Sequence, residues 1–128
     1  MAAMTHPLNL AAGWWLILAA FATGAVLGLG FHREEFLGGY ASFRRRLFRL
    51  GHIALAALGA LNVVYGLSPV SPGLGAPAAL PGTLLLAGAI AMPAVCFLSA
   101  WREPFRRLFP IPVVLLVAAV LLIALGAA

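Results

Sequence analysis

The sequence predicts an all-α membrane protein in which four transmembrane helices form an antiparallel bundle. Hydrophobic residues make up 64% of the 128 residues and charged residues only 9%, whereas soluble domains average about 45–50% and about 25%. The mean hydropathy is +1.09. Every charged side chain lies in two short segments, 32–49 and 101–110, and the runs between them carry no charge. The chain is therefore expected to form one transmembrane domain over residues 1–128.

The first span is predicted at about residues 10–31, where 22 residues carry no charge. At about 1.5 Å per residue, this run is long enough to cross a hydrocarbon core of about 30 Å. Ala20, Gly24 and Gly28 recur every four residues, so they lie on one face of the helix. Small residues at this spacing allow another helix to come close, and we expect packing within the chain rather than a homodimer seam.

Residues 50–101 contain no charge and are too many for a single span. Four prolines and two glycines between residues 68 and 81 end one helix and begin the next. We therefore predict spans at about 50–67, 82–101 and 111–127. These are joined by an outer loop at 68–81 and flanked by two charged loops at 32–49 and 102–110.

The distribution of arginine predicts the orientation and the partners. All eight basic residues are arginines in the two charged loops, so the positive-inside rule places these loops in the cytoplasm and both termini on the periplasmic side of a bacterial inner membrane. The net charge of +5 then favours anionic lipid headgroups or an acidic protein surface over nucleic acid. The predicted contact residues are Arg44, Arg45, Arg46, Arg49, Arg102, Arg106 and Arg107.

The first charged loop resumes after Gly38 and Gly39 as FRRRLFRL, which begins at Phe43. This pattern predicts a short amphipathic helix in the membrane interface, separate from the second span. Glu34 and Glu35 are expected to pair with the arginines at the surface. The second charged loop has a similar order of aromatic and charged residues, which suggests two pseudo-repeated helical hairpins, although two cytoplasmic loops could also converge on such a composition.

Few side chains are suited to a cofactor. His32 and His52 lie at similar depth on neighbouring spans, as a bis-imidazole haem b requires, with Gly51, Ala56 and Gly59 as room for the macrocycle. The alternative is that each histidine bonds to headgroups or backbone. The Asn62 amide is suited to a hydrogen bond between helices, although a quinone carbonyl or a polar solute could use the same amide. Gly59 is suited to close helix packing.

The remaining candidates favour packing over chemistry. Met92 and Cys96 are four residues apart and could hold Cu(I) with His52, but such residues more commonly fill cores. A single cysteine excludes an internal disulfide, no ionisable group lies within a span, and no catalytic motif is present, so we expect neither an enzyme nor a bound metal.

These features together predict an accessory or scaffold subunit that packs against a larger membrane complex or its own copies. The first alternative is a redox subunit that binds haem or quinone. The second is a channel or carrier for a small solute.

Overall fold

The fold is all-helical, as predicted. A computed structural model describes residues 6–128, in which four helices are long and apolar enough to cross a membrane. These are α1 (Pro7–Gly30), α2 (Phe43–Leu67), α3 (Leu80–Trp101) and α4 (Pro110–Ala127). Within the described part of the chain there is no β-strand.

Proline and serine mark the helix starts. A proline lies in the first turn of α1, α3 and α4, where the missing N–H would have no helical partner in any case. Ser42 caps α2, because its side chain accepts a hydrogen bond of 3.1 Å from the backbone N–H of Arg45. The starts are therefore consistent with the local sequence.

The prediction of a separate amphipathic segment before the second span was wrong. The FRRRLFRL segment is the first part of α2, which begins at Phe43 rather than near Leu50. Ser42 supplies the cap, no proline follows it before Leu67, and arginine is a good helix former, so nothing interrupts the helix. The connection before α2 is correspondingly short. It turns through Leu37, Gly38 and Gly39, all in the left-handed region with φ values of 56°, 88° and 92°.

The helices pack in chain order. α1 packs on α2, α2 on α3, and α3 on α4, while α1 makes only a small contact with α3. Over residues 6–128, α1 and α4 share no substantial interface. The bundle is therefore open, with α1 and α4 at its two edges, and α2 and α3 contain most of the buried residues.

The two ends of the bundle differ in chemistry. The connection 68–79, which we call the proline loop, packs on the end of α4. The backbone N–H of Gly73 donates to the carbonyl of Leu122 at 2.9 Å, and Gly126 abuts Ser71. The start of α1 lies at this end too, because Asn9 contacts Gly82. The opposite end, which carries all the arginines, is called the arginine end below.

The two charged segments do not share one conformation. Arg44, Arg45, Arg46 and Arg49 lie in the first turns of α2, whereas Arg106 and Arg107 lie in a short 3-10 helix, Glu103–Leu108. Neighbouring helices are antiparallel in both hairpins. Whether the hairpins are true repeats stays a prediction.

Candidate functional site

The interface between α1 and α2 is a close contact of two backbones. A Cβ added to Gly13 would lie 2.7 Å from the carbonyl oxygen of Gly59, and one added to Gly59 would lie 2.9 Å from the carbonyl oxygen of Gly13. Further along, a Cβ on Gly66 would lie 2.7 Å from the backbone of Leu10. Gly59, selected from the sequence for packing, thus lies at a close contact between the backbones of α1 and α2. Its partner Gly13 was not identified from the sequence.

The three small residues of α1 differ in what they contact. Ala20 is buried. Gly24 lies under the ring of His52, since a Cβ added there would be 2.7 Å from Cε1 of that ring. Gly28 has open space where a side chain would be, with nothing within 4 Å. The first two therefore lie against other parts of this chain, and only Gly28 leaves a gap.

His52 is a half-buried residue of the helix interface. Its Nδ1 lies 3.2 Å from Oγ1 of Thr23, and that hydroxyl also lies within 3.0 Å of the carbonyl oxygens of Ala19 and Ala20. The ring is thus held on α1 by a hydrogen bond and by the absence of a side chain at Gly24. This is the arrangement of a packed histidine with a polar partner.

His32 does not join His52 at a common site. It is exposed in the turn after α1, and it is not among the residues that line the groove beside His52. That groove measures about 170 Å³, below the roughly 300–1,000 Å³ of ordinary ligand pockets. The space beside the glycines that were expected to make room for a macrocycle is filled by protein. The ring of Phe97 lies against Gly51, and Gly13 lies against Gly59. Haem binding stays a prediction without support from this geometry.

Asn62 ties three helices together. It is fully buried, accepts a hydrogen bond of 2.8 Å from Nδ2 of Asn9, and donates one of 2.9 Å to the carbonyl of Leu58. Nδ2 of Asn9 also donates to the carbonyl of Gly82 at 2.9 Å. The pair therefore links α1, α2 and the first turn of α3. Asn9 was overlooked because it precedes the predicted start of the first span by one residue.

Next to this pair, the ring of Tyr65 stacks on that of His6, with the centroids 4.2 Å apart. The Tyr65 hydroxyl and Nε2 of His6 are buried and have no hydrogen-bond partner in the structure. In α3, Cys96 is fully buried and Met92 half-buried. From residue 6 onward no three histidine, cysteine or acidic side chains cluster as metal ligands would, and the copper hypothesis stays untested.

The arginines of α2 have distinct surroundings. Nε of Arg44 donates to the carbonyl of Ala100 at 3.0 Å, so this side chain joins α2 to the end of α3. Arg45 is only 6% exposed, and its guanidinium carbon lies 4.5 Å from the ring centroid of Phe31 and 5.4 Å from that of Tyr40. Arg49 lies over the same Tyr40 ring at 5.7 Å. The rings of Phe31 and Tyr40 thus hold two cations at the arginine end.

The expected pairing of Glu34 and Glu35 with arginines was wrong. In the described ranges, neither carboxylate forms an ion pair with any arginine. Both glutamates lie in the turn before Phe36, outside α2, whereas the arginines of α2 face its neighbours or solvent. The loop glycines thus separate charges that are close in sequence. Arg46, Arg102, Arg106 and Arg107 are exposed at the same end.

No protein-family model, no curated protein and no solved structure matches this chain. The function is therefore argued from its own residues.

Proposed function

We propose that the protein is an accessory or scaffold subunit of a membrane complex, which it joins through helix packing with another membrane protein or a second copy of itself. The observation that carries this proposal is the open row of helices. Among the four helices, α4 packs substantially only on α3 and α1 packs almost entirely on α2, so both edge helices keep broad faces that no part of residues 6–128 covers.

The free face of α4 is suited to a partner helix. It exposes three β-branched side chains, Val114, Val117 and Val120, together with Leu121. A shallow groove of about 480 Å³ runs between Leu116 and Ala124. In lipid, helices associate through close van der Waals packing rather than through the hydrophobic effect, and a grooved face of stiff, compact residues offers such packing.

The charged end of the protein supports the same role at the membrane surface. Exposed arginines on the first turns of α2 and on the 3-10 helix before α4 form a basic rim. We assign this rim to anionic headgroups of the cytoplasmic leaflet, or to an acidic surface of the partner, with both termini on the periplasmic side. A reporter fused after Ala128 that is active only in the cytoplasm would contradict this orientation.

A photo-reactive residue at Val117 in the full chain tests the scaffold proposal in the native membrane. The matched control is Val64, which is on α2 and is similarly exposed, at 64% against 61%. We expect Val117 to give one discrete crosslinked product and Val64 to crosslink to lipid alone. Two differently tagged copies in the same cells separate a self-contact from a contact with another protein. Equal crosslinking at both positions, or none at Val117, would refute α4 as the contact face.

The structure adds no observation in favour of the redox or carrier alternatives. Both depended on His52 or Asn62 being available to a ligand. His52 lies on Gly24, and Asn62 is bonded inside the protein.

A further inference from the structure

The arginine end contains two neighbouring cations without a counter-ion. Arg45 and Arg49 are one helical turn apart on α2, a spacing at which like charges repel. Both lie over the ring of Tyr40. In the described part of the chain, no carboxylate forms an ion pair with either of them.

The lack of a counter-charge is clearest at Arg45. Arg45 is only 6% exposed, and its Nε has no hydrogen-bond partner. A buried cation without a partner is costly, and the rings of Phe31 and Tyr40 compensate for only part of this cost. A cation held at such a position without a counter-charge favours an anion nearby.

A groove adjoins these cations on the side of α1. It is lined by Arg49, Phe31, Gly28 and, one turn deeper, His52, and it measures about 170 Å³. Arg45 does not line the groove, but its guanidinium carbon lies 4.5 Å from the centroid of the Phe31 ring, which does. The open space at Gly28 leaves the groove accessible, and its volume suits a small anionic group rather than a large cofactor.

We propose that this groove binds the phosphate group of an anionic phospholipid, with Arg49 as its guanidinium ligand and the cation of Arg45 beside it. Guanidinium groups match phosphate oxygens with paired N–H donors. The depth favours a lipid over free phosphate, because Arg49 is the last charged residue before the uncharged part of α2. Ile53, which also lines the groove, is exposed where an acyl chain would run.

This inference rests on the lipid contact included in the proposed function, and it adds one specific site to the contact made by the basic rim. It does not depend on the face of α4, and crosslinking at Val117 is independent of it.

The test uses the full chain, purified in a non-ionic detergent and stripped of native lipid. Thermal unfolding is followed by tryptophan fluorescence while one of three probes is added: dioleoyl phosphatidylglycerol, dioleoyl phosphatidylcholine or inorganic phosphate. We expect phosphatidylglycerol to raise the unfolding midpoint in a saturable way. Phosphatidylcholine should do so more weakly, and inorganic phosphate at the same concentration should have no effect.

Three variants examine the site itself. Arg49→Gln removes one cation, and Gly28→Leu fills the groove without changing the charge. Arg49→Gln should raise the half-saturating lipid concentration about tenfold or more, as expected for the loss of one charge-assisted contact. Gly28→Leu should raise it as well, because its side chain would occupy the groove. The control Arg33→Gln removes the same charge from the exposed turn after α1, outside the basic rim, and should change the half-saturating lipid concentration less than twofold. Arg45→Gln should also raise the half-saturating lipid concentration. If Arg45→Gln does not fold, Arg49→Gln and Gly28→Leu test the site without it.

Each contrary result has its own meaning. A full shift with inorganic phosphate alone would overturn the lipid assignment in favour of a soluble phosphate ligand. Equal weakening by Arg33→Gln and Arg49→Gln would overturn the site and leave a diffuse electrostatic contact of the whole arginine end. No stabilisation by phosphatidylglycerol would overturn the site together with the proposed lipid contact.

Discussion

The hydrogen bond between the side chains of Asn9 and Asn62 should stabilise the contact of α1 with α2. Leucine has the same number and branching of side-chain heavy atoms as asparagine, so Asn62→Leu removes the amide without leaving a cavity. The variant leaves one N–H of Asn9 unpaired at a site that is 5% exposed. An unsatisfied buried donor costs about 1–3 kcal/mol, and we expect the free energy of unfolding to fall by that amount.

A double-mutant cycle isolates the bond itself. The variants are Asn9→Leu, Asn62→Leu and the two together, and the readout is unfolding by sodium dodecyl sulfate in mixed micelles, followed by the fluorescence of Trp14 and Trp15 on α1. Hydrogen bonds between transmembrane helices have coupling energies that average about 0.6 kcal/mol and reach about 1.7 kcal/mol. Because Asn9 and Asn62 bond directly at 2.8 Å in a fully buried place, we expect about 1 kcal/mol or more.

Additive effects of the two substitutions, within about 0.3 kcal/mol, would refute the inferred bond. Thr83→Val serves as the control, because the Thr83 hydroxyl bonds only to the carbonyl of Leu80 within its own helix and is exposed. It should change the stability by less than about 0.5 kcal/mol.

Two further predictions concern packing at other positions. Gly59→Ala should destabilise the protein by more than about 1 kcal/mol, because the new Cβ would lie 2.9 Å from the backbone oxygen of Gly13. Gly28→Ala should instead raise the free energy of unfolding by about 0.5–1 kcal/mol, because nothing lies within 4 Å of the new Cβ and alanine is the better helix former. Arg44→Gln should lower the free energy of unfolding by about 0.5–1.5 kcal/mol, because it removes the hydrogen bond to the carbonyl of Ala100 at the end of α3. Arg46→Gln should leave the free energy of unfolding unchanged. The same micelle unfolding assay measures all four variants.

The sequence was sufficient to predict the helices because charge is confined to two segments, and hydrocarbon of fixed thickness requires long uncharged runs between them. The start of α2 was misplaced for a related reason. Charge was treated as the end of a helix, although a helix ends only where its backbone bonds cannot continue. Ser42 followed by arginines is a helix start, so the charged residues extend α2 instead of preceding it.

The contacts between helices were less accessible to sequence analysis. Asn62 was conspicuous as an amide in an uncharged run, but its partner lies 53 residues away, and the pairing depends on the register of two antiparallel helices. The same register selects Gly13 for contact with Gly59 and leaves Gly28 open. A four-residue spacing identifies a face of small residues, but the rotation of the helix decides which of them a neighbour reaches.

The contacts along the α1–α2 hairpin also bear on which function suits it. Asn9 and Asn62 join the two helices near the proline loop, Gly13 and Gly59 bring the backbones together further in, and the ring of His52 rests on α1 towards the arginine end. A carrier must let helices slide or rock past one another, and backbone contacts this close would have to separate at several levels at once. A scaffold requires the opposite, a stiff element that presents unchanging faces to its neighbours. The spacing of these contacts along the whole hairpin therefore favours a supporting role over a moving one.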